Sequence, residues 1–191
     1  LSYANLMDAK LERAILMGAN LVYQLNHPET KTFIQDICEI NAVDIAKYIK
    51  GKDLHLLAGC PPCQGFSSIR RLNKKKAVKD SRNSLIKEYI RLVDELRPLT
   101  IMMENVPWFV DYNLFKDAVK HLRNDLGYFV DYAVVNVKDY SVPQNRKRLV
   151  LVGSKLGEIH VAKPSKKTVT VRDAIYSMPS PDSSKDHVHK I

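Results

Sequence analysis

Asp53-Leu54-His55-Leu56-Leu57-Ala58 runs directly into Gly59-Cys60-Pro61-Pro62-Cys63-Gln64-Gly65-Phe66-Ser67. An apolar run of strand length, stopped by glycine and two prolines, reads as a strand ending in a rigid loop. Outward from this junction the theme repeats. Ser84–Leu96 carries apolar residues at 85, 86, 89, 90, 92, 93 and 96, one face of a helix, and Pro98 follows as a stop. Thr100–Met103 reads as a buried strand. Asn113–Leu126 reads as an amphipathic helix with an Asn cap and Gly127 just beyond it. Tyr128–Val137 is rich in β-branched and aromatic residues, and Arg148–Gly153 is a further apolar run. Lys31–Ile37 is a short strand candidate before the junction, and Val171–Tyr176 opens a last helix. Strand and helix in alternation predict an α/β domain with a largely parallel sheet.

The chain has 191 residues, 45% of them hydrophobic and 27% charged. That is enough for one domain with a sizeable core and argues against disorder. No run approaches the roughly 18 apolar residues of a membrane helix, and no signal peptide pattern opens the sequence. Three cysteines are too few for a disulfide framework and point to a reducing compartment. The net charge of +9 suits a polyanionic partner.

Open α/β sheets bind ligands beyond the carboxyl ends of their strands. One such end carries Cys60 and Cys63, and the next carries Glu104-Asn105-Val106-Pro107. The last strand is entered through Gln144-Asn145-Arg146-Lys147-Arg148. A thiol, a carboxyl group and two guanidiniums are therefore expected to face one crevice. Read as a zinc pair, Cys60 and Cys63 lack partners at a convincing spacing among Cys38, His27, His55, His121, His160, His187 and His189. Read as a redox pair, they lack a helix start, because Pro61, Pro62 and Gly65 favour a rigid loop.

GCPPCQGFS at 59–67, ENVP at 104–107 and QNRKRLVLVG at 144–153 resemble three signature motifs of DNA cytosine-5 methyltransferases, in family order and with similar spacing. The resemblance covers residues 22–180. Asn26-His27-Pro28, Asp36-Ile37, and Asp80-Ser81-Arg82 with Leu85 are similar to further family positions. The implied fold is a Rossmann-like S-adenosylmethionine-dependent methyltransferase sheet, here incomplete. The resemblance also implies DNA methylation in a prokaryotic cytoplasm, within restriction-modification, or in a nucleus if the source is eukaryotic.

Cytosine C5 is a poor nucleophile until a thiolate adds at C6, and a free thiol is only partly ionised at neutral pH. The resemblance assigns the addition to Cys63 rather than Cys60. It assigns to Glu104 the contacts with N3 and the exocyclic amine, which require a raised pKa. Arg148 is assigned to O2, and Arg146 supports the site. Asp36, Pro62, Phe66 and Leu85 are implied to line the cofactor, with Ser67 at its edge. The target base must leave the duplex stack. The family's mobile loop after Pro-Cys-Gln coincides here with the basic run from Arg70 to Lys79. Gln64, Ser67, Arg70, Arg71, Lys74, Lys75, Lys76 and Arg82 are thus the expected contacts to double-stranded DNA. No metal is expected.

The sequence also departs from the family. Its Phe-x-Gly-x-Gly-Gly cofactor turn is absent, in keeping with 7 glycines where average usage gives about 13. An acidic residue for the ribose and the last two motifs are not found. Instead, residues 1–21 carry Leu at 1, 6, 11, 16 and 21 and Ala at 4, 9, 14 and 19. This resembles pentapeptide repeats, and an Ala/Leu-rich helix is the alternative. The expected organisation is an N-terminal segment over 1–21, a catalytic core over 22–160, and over 161–191 the start of a connection to a target-recognition region. The alternative function is a truncated, non-catalytic DNA-binding or assembly module, or one piece of a split enzyme completed by a second polypeptide. A tRNA-directed relative would carry a Cys-Phe-Thr segment, which the sequence lacks.

Overall fold

The computed structural model describes residues 22–33, 35–62, 84–165 and 167–179. A helical turn over 22–26 leads to a 3-10 turn, Ile37–Glu39, and to helix α1, Ala42–Ile49. There follow β1 (Leu56–Gly59), α2 (Ser84–Leu96), β2 (Thr100–Asn105), α3 (Asn113–Asn124), β3 (Phe129–Asn136), β4 (Lys147–Ser154) and α4 (Val171–Ile175). Two further 3-10 turns, Pro107–Asp111 and Val137–Tyr140, follow β2 and β3.

The four strands form one sheet in the order β1-β2-β4-β3. β1 and β2 are parallel, whereas β4 is antiparallel to both β2 and β3. The sheet is thus mixed, which corrects the expectation of a largely parallel one. The reason is local. Residues 137–146 are all that separate β3 from β4, too short a connection for the helical crossover a parallel pair requires. β1, β2 and β3 still run in one direction, as alternating strands and helices dictate, and β4 slots between β2 and β3 against them.

Two smaller expectations also change. The described residues of 31–37 form no strand. Residues 31–33 are irregular and Ile37 begins the 3-10 turn. Extended backbone persists only where a neighbour takes up its N–H and C=O groups, and no described strand pairs with this one. The cap of α3 is Tyr112, with no side-chain cap bond, and Asn113 is already helical. Gly127 does follow the helix with φ +72°, the left-handed conformation that favours glycine.

Strand alternation sorts the side chains onto two faces. One face presents Ile101, Met103, Leu149 and Leu151 to Ile86, Tyr89 and Val93 of α2 and to Phe115, Val119 and Leu122 of α3, and all of these are buried. Tyr89 donates from its hydroxyl to the Leu57 and Met102 carbonyls at 3.2 and 3.0 Å, tying α2 across β1 and β2. Tyr128 donates to the Pro98 carbonyl at 2.5 Å and closes the far end of the core. No helix among the described residues is long and apolar enough to cross a membrane.

Candidate active site at the carboxyl end of the sheet

Because β4 runs against β2, its first residues meet the last residues of β2. Asn105 pairs with Leu149 and Glu104 with Val150, so Arg148 stands beside Glu104 on the same face. Their side chains join, with Arg148 Nε 2.5 Å from Glu104 Oε1 and both groups about three-quarters buried, at 25% and 28% exposure. Arg148 Nη1 also donates to the Lys147 carbonyl at 2.8 Å. The crevice expected from the sequence therefore brings together the carboxyl group and one of the two guanidiniums.

The adjacent residue of β2 faces the packed side and has a different task. Asn105 is buried at 4% exposure. Its amide donates from Nδ2 to the Pro61 carbonyl at 3.0 Å, and its Oδ1 accepts from Val106 N at 2.8 Å. One side chain thus fixes both the corner after β2 and the loop after β1, two residues before Cys63. At the end of β1, Gly59 lets the Tyr89 ring of α2 pack closely, since a Cβ there would lie 2.7 Å from Cδ2 of Tyr89. Asn136 acts alike at the end of β3. It donates to Asn145 Oδ1 at 2.8 Å and accepts from Arg146 N at 3.1 Å, while Val137 N donates to the Arg146 carbonyl at 2.9 Å. The Arg146 backbone is thereby held at the entry to β4, and the residue itself is exposed. Neither asparagine was singled out from the sequence as a site residue. A buried amide at the last position of a strand, opposite a glycine- and proline-rich loop, is the signal that could have found them.

Two cysteines are held as thiols. Partial burial and the Glu104 carboxylate push the Cys60 thiol up. Partial burial and the Asp36 carboxylate push the Cys38 thiol up to about 11. Neither is a ready nucleophile at neutral pH.

Asp36 is exposed and caps the Ile37–Glu39 turn, its Oδ1 accepting from Cys38 N at 2.9 Å. A carboxylate has roughly four acceptor sites, so capacity remains for a donor such as an exocyclic amine. Pro62 and Leu85 are half-buried. Asp36 thus offers an acceptor of the kind an adenine exocyclic amine requires, and Pro62 and Leu85 offer apolar side chains. Cys63, Gln64, Phe66, Ser67, Arg70, Arg71, Lys74, Lys75, Lys76 and Arg82 lie outside the described residues, as do the pentads of 1–21. No cluster of metal-ligating residues occurs among the described residues.

The chain matches the model of the C-5 cytosine-specific DNA methylase family over residues 8–190. It is 34% identical over 169 residues to the type II methyltransferase M.XorII of Xanthomonas oryzae pv. oryzae, covering 84% of this chain and 39% of that protein. To the type II methyltransferase M1.HphI of Haemophilus parahaemolyticus it is 35% identical over 161 residues, covering 82% and 43%. Among solved structures, an Escherichia coli prophage-encoded DNA modification methyltransferase superposes with a TM-score of 0.61 at 30% identity, covering 80% of this chain and 43% of that one. The chain therefore spans about two fifths of the length of these relatives. A sheet that brings Glu104 to Arg148 and the Pro61 loop to Asn105, in a chain matched by the family model along nearly its whole length, belongs to the C-5 cytosine-specific DNA methylase family.

Proposed function

We propose that this chain is the catalytic-core portion of a DNA cytosine-5 methyltransferase. The reading is carried by the Glu104–Arg148 pair at the carboxyl end of β2, a carboxyl group and a guanidinium side by side where a pyrimidine ring would need a proton partner and an oxyanion partner. Cys63, the cysteine of the Pro-Cys-Gln segment to which the family resemblance assigns the role, is the nucleophile. Its thiolate adds to C6 of a flipped cytosine, and the electron pair moves towards N3 and C5. Glu104 supplies a proton at N3 and accepts from the exocyclic amine, and Arg148 binds O2. S-adenosylmethionine, when bound, supplies the methyl group that C5 accepts. Return of the N3 proton to Glu104 and loss of the C5 proton to water expel the Cys63 thiolate and restore the aromatic ring. Asp36, Pro62 and Leu85, with Phe66, hold the cofactor. Arg146 supports the base pocket, its backbone fixed by Asn136. Asn105 is a positioning residue for both Glu104 and Cys63.

Double-stranded DNA is the substrate. Gln64, Ser67, Arg70, Arg71, Lys74, Lys75, Lys76 and Arg82 contact it, the basic ones neutralising phosphates without reading sequence. Replacing Lys74, Lys75 and Lys76 together by Ala is expected to flatten the salt dependence of duplex binding, and an unchanged slope refutes that assignment.

Covalent trapping on duplex DNA containing 5-fluorocytosine, with added S-adenosylmethionine, tests the chemistry. A trapped adduct that disappears in Cys63→Ala is expected. An adduct that survives Cys63→Ala overturns the assignment. A second reading is a truncated, non-catalytic DNA-binding or assembly module of the same fold. It is favoured by the exposure of Leu56, Met102 and Phe129 on the sheet face opposite the helices. DNA binding without an adduct and without cofactor binding is its signature.

A further inference from the structure

The catalytic pair sits on strands, but Asp36, the residue offered to the cofactor, does not. It belongs to a segment that no described strand pairs with, and that segment is fastened to the core by the side chain of Arg91 in the middle of α2. Arg91 Nη2 donates to the carbonyls of Ile37 and Ile40 at 3.1 and 3.0 Å, the first residue of the 3-10 turn and its C-cap. Arg91 Nε donates to Glu88 Oε2 at 2.6 Å. Arg91 Nη1 donates to the two Glu95 oxygens at 3.1 and 3.0 Å. The two glutamates flank Arg91 at i−3 and i+4 on α2, so they pre-set the plane of the guanidinium before it meets the turn.

The consequence runs in one direction. Arg91 fixes the carbonyls of the turn. The turn fixes the Cys38 N–H, and that N–H fixes Asp36 Oδ1 at 2.9 Å. We propose that Arg91 is a positioning residue for the cofactor: its guanidinium clamps the Asp36–Ile40 turn onto α2 and so presents the Asp36 carboxylate to the adenine ring. The inference rests on the cofactor reading of Asp36 above. A lysine cannot replace it, because a single ammonium lacks the rigid fork that serves two carbonyls while both carboxylates stay paired.

The test uses the full chain and S-adenosylmethionine as probe. Calorimetry gives the cofactor Kd, and amide hydrogen exchange reports on Cys38 and Ile40. Arg91→Ala and Arg91→Lys are each expected to weaken cofactor binding by about tenfold or more and to accelerate exchange at both amides. Duplex affinity and exchange at Met103 and Leu151 are expected to stay unchanged, which keeps global unfolding apart from loss of the clamp. Glu88→Gln with Glu95→Gln, which leaves the fork on its carbonyls, is expected to retain most of the affinity. Asp36→Ala is expected to cost as much as Arg91→Ala, and the pair together no more than either alone, because the two act in series. Additive losses, wild-type affinity in Arg91→Ala, or accelerated exchange at Met103 and Leu151 in both Arg91 variants each overturn the proposal. A wild-type chain with no cofactor affinity overturns it differently, by removing the cofactor reading on which it rests.

Discussion

The two faces of the sheet are built from neighbouring residues of the same strands, yet they do different work. On one face Ile101, Met103, Leu149 and Leu151 are sealed beneath α2 and α3. On the other, Leu56, Met102 and Phe129 are 40–51% exposed, and no described helix covers them. The contrast continues to the carboxyl end. The packed face ends in two amides, Asn105 and Asn136, which hold loops. The open face ends in Glu104 and Arg148, which carry the proposed chemistry. Alternation along β2 thus separates holding, at Asn105, from reacting, at Glu104, by a single residue step. A reactive pair gains from a reachable face, while the groups that aim it gain from burial, where a hydrogen bond is hard to replace by water.

The largest expected effect sets the two faces against each other within one strand. Leu151→Ala should cost about 2–5 kcal/mol of unfolding free energy, as buried leucine truncations do. Val152→Ala, one residue along on the open face, should cost less than about 1 kcal/mol, because little apolar contact is lost there. Equal costs in urea denaturation would erase the distinction between the faces.

Packing on the sealed face is tight at Gly153, and Gly153→Ala measures this. A Cβ at Gly153 would stand 2.7 Å from Cγ1 and 2.9 Å from Cδ1 of Ile101. The substitution should destabilise by about 1–3 kcal/mol. Adding Ile101→Val should recover part of that loss in a double-mutant cycle, whereas simple additivity would show that the close approach is not the cause.

The helices of the sealed face are also joined by a titratable link. His121 on α3 lies 2.7 Å from Asp125 and 3.0 Å from Asp94 of α2. These carboxylates, Asp125 first, raise its pKa. The folded state therefore holds the proton more tightly than the unfolded chain, whose histidine titrates near about 6.5. The resulting stability is fully present below that value and is lost as pH rises through the raised folded pKa. His121→Gln should thus lower stability at about pH 5 and matter little at about pH 9, as chemical denaturation at the two values would show. An effect independent of pH would mean that packing rather than charge joins the helices.

The smallest effect lies at the periphery, away from both faces. Lys50 ends α1 in the left-handed conformation, with φ 54°. Lys50→Gly should raise the melting temperature slightly, with roughly 0.5–1 kcal/mol gained from relieved backbone strain. A loss would mean that the lysine stem has a contact worth more than the strain.

Much of this architecture was legible because it rests on local signals. The apolar periodicity of Ser84–Leu96 is the observed α2 residue for residue, and Arg148–Gly153 lies one residue inside each end of β4. The site was legible as residue types at strand ends, since Glu104 and Arg148 each sit beside a short apolar run. Illegible were the features that depend on partners distant in sequence. Lys31–Ile37 has strand composition, but composition supplies no neighbour for its backbone. Helix α1 has apolar residues at 42, 45, 46 and 49, but with eight residues and no side-chain cap bond neither its length nor its ends mark it apart from a loop. Asn105, Asn136 and Arg91 look ordinary in sequence, and their roles come from carbonyls and amides that only folding brings near.

By itself, then, the sequence carried the motifs by which the chain resembles its family, and it placed most of the element types and the residues bearing a thiol, a carboxyl group and guanidiniums, because elements and residue types are read from spacing and periodicity along one chain. The tertiary structure decided the direction of β4. That reversal follows from a connection too short for a crossover, and it lays Arg148 against Glu104. It also decided which residue of each neighbouring pair faces the core and which faces the reaction, since pleating fixes alternation but only packing chooses the side.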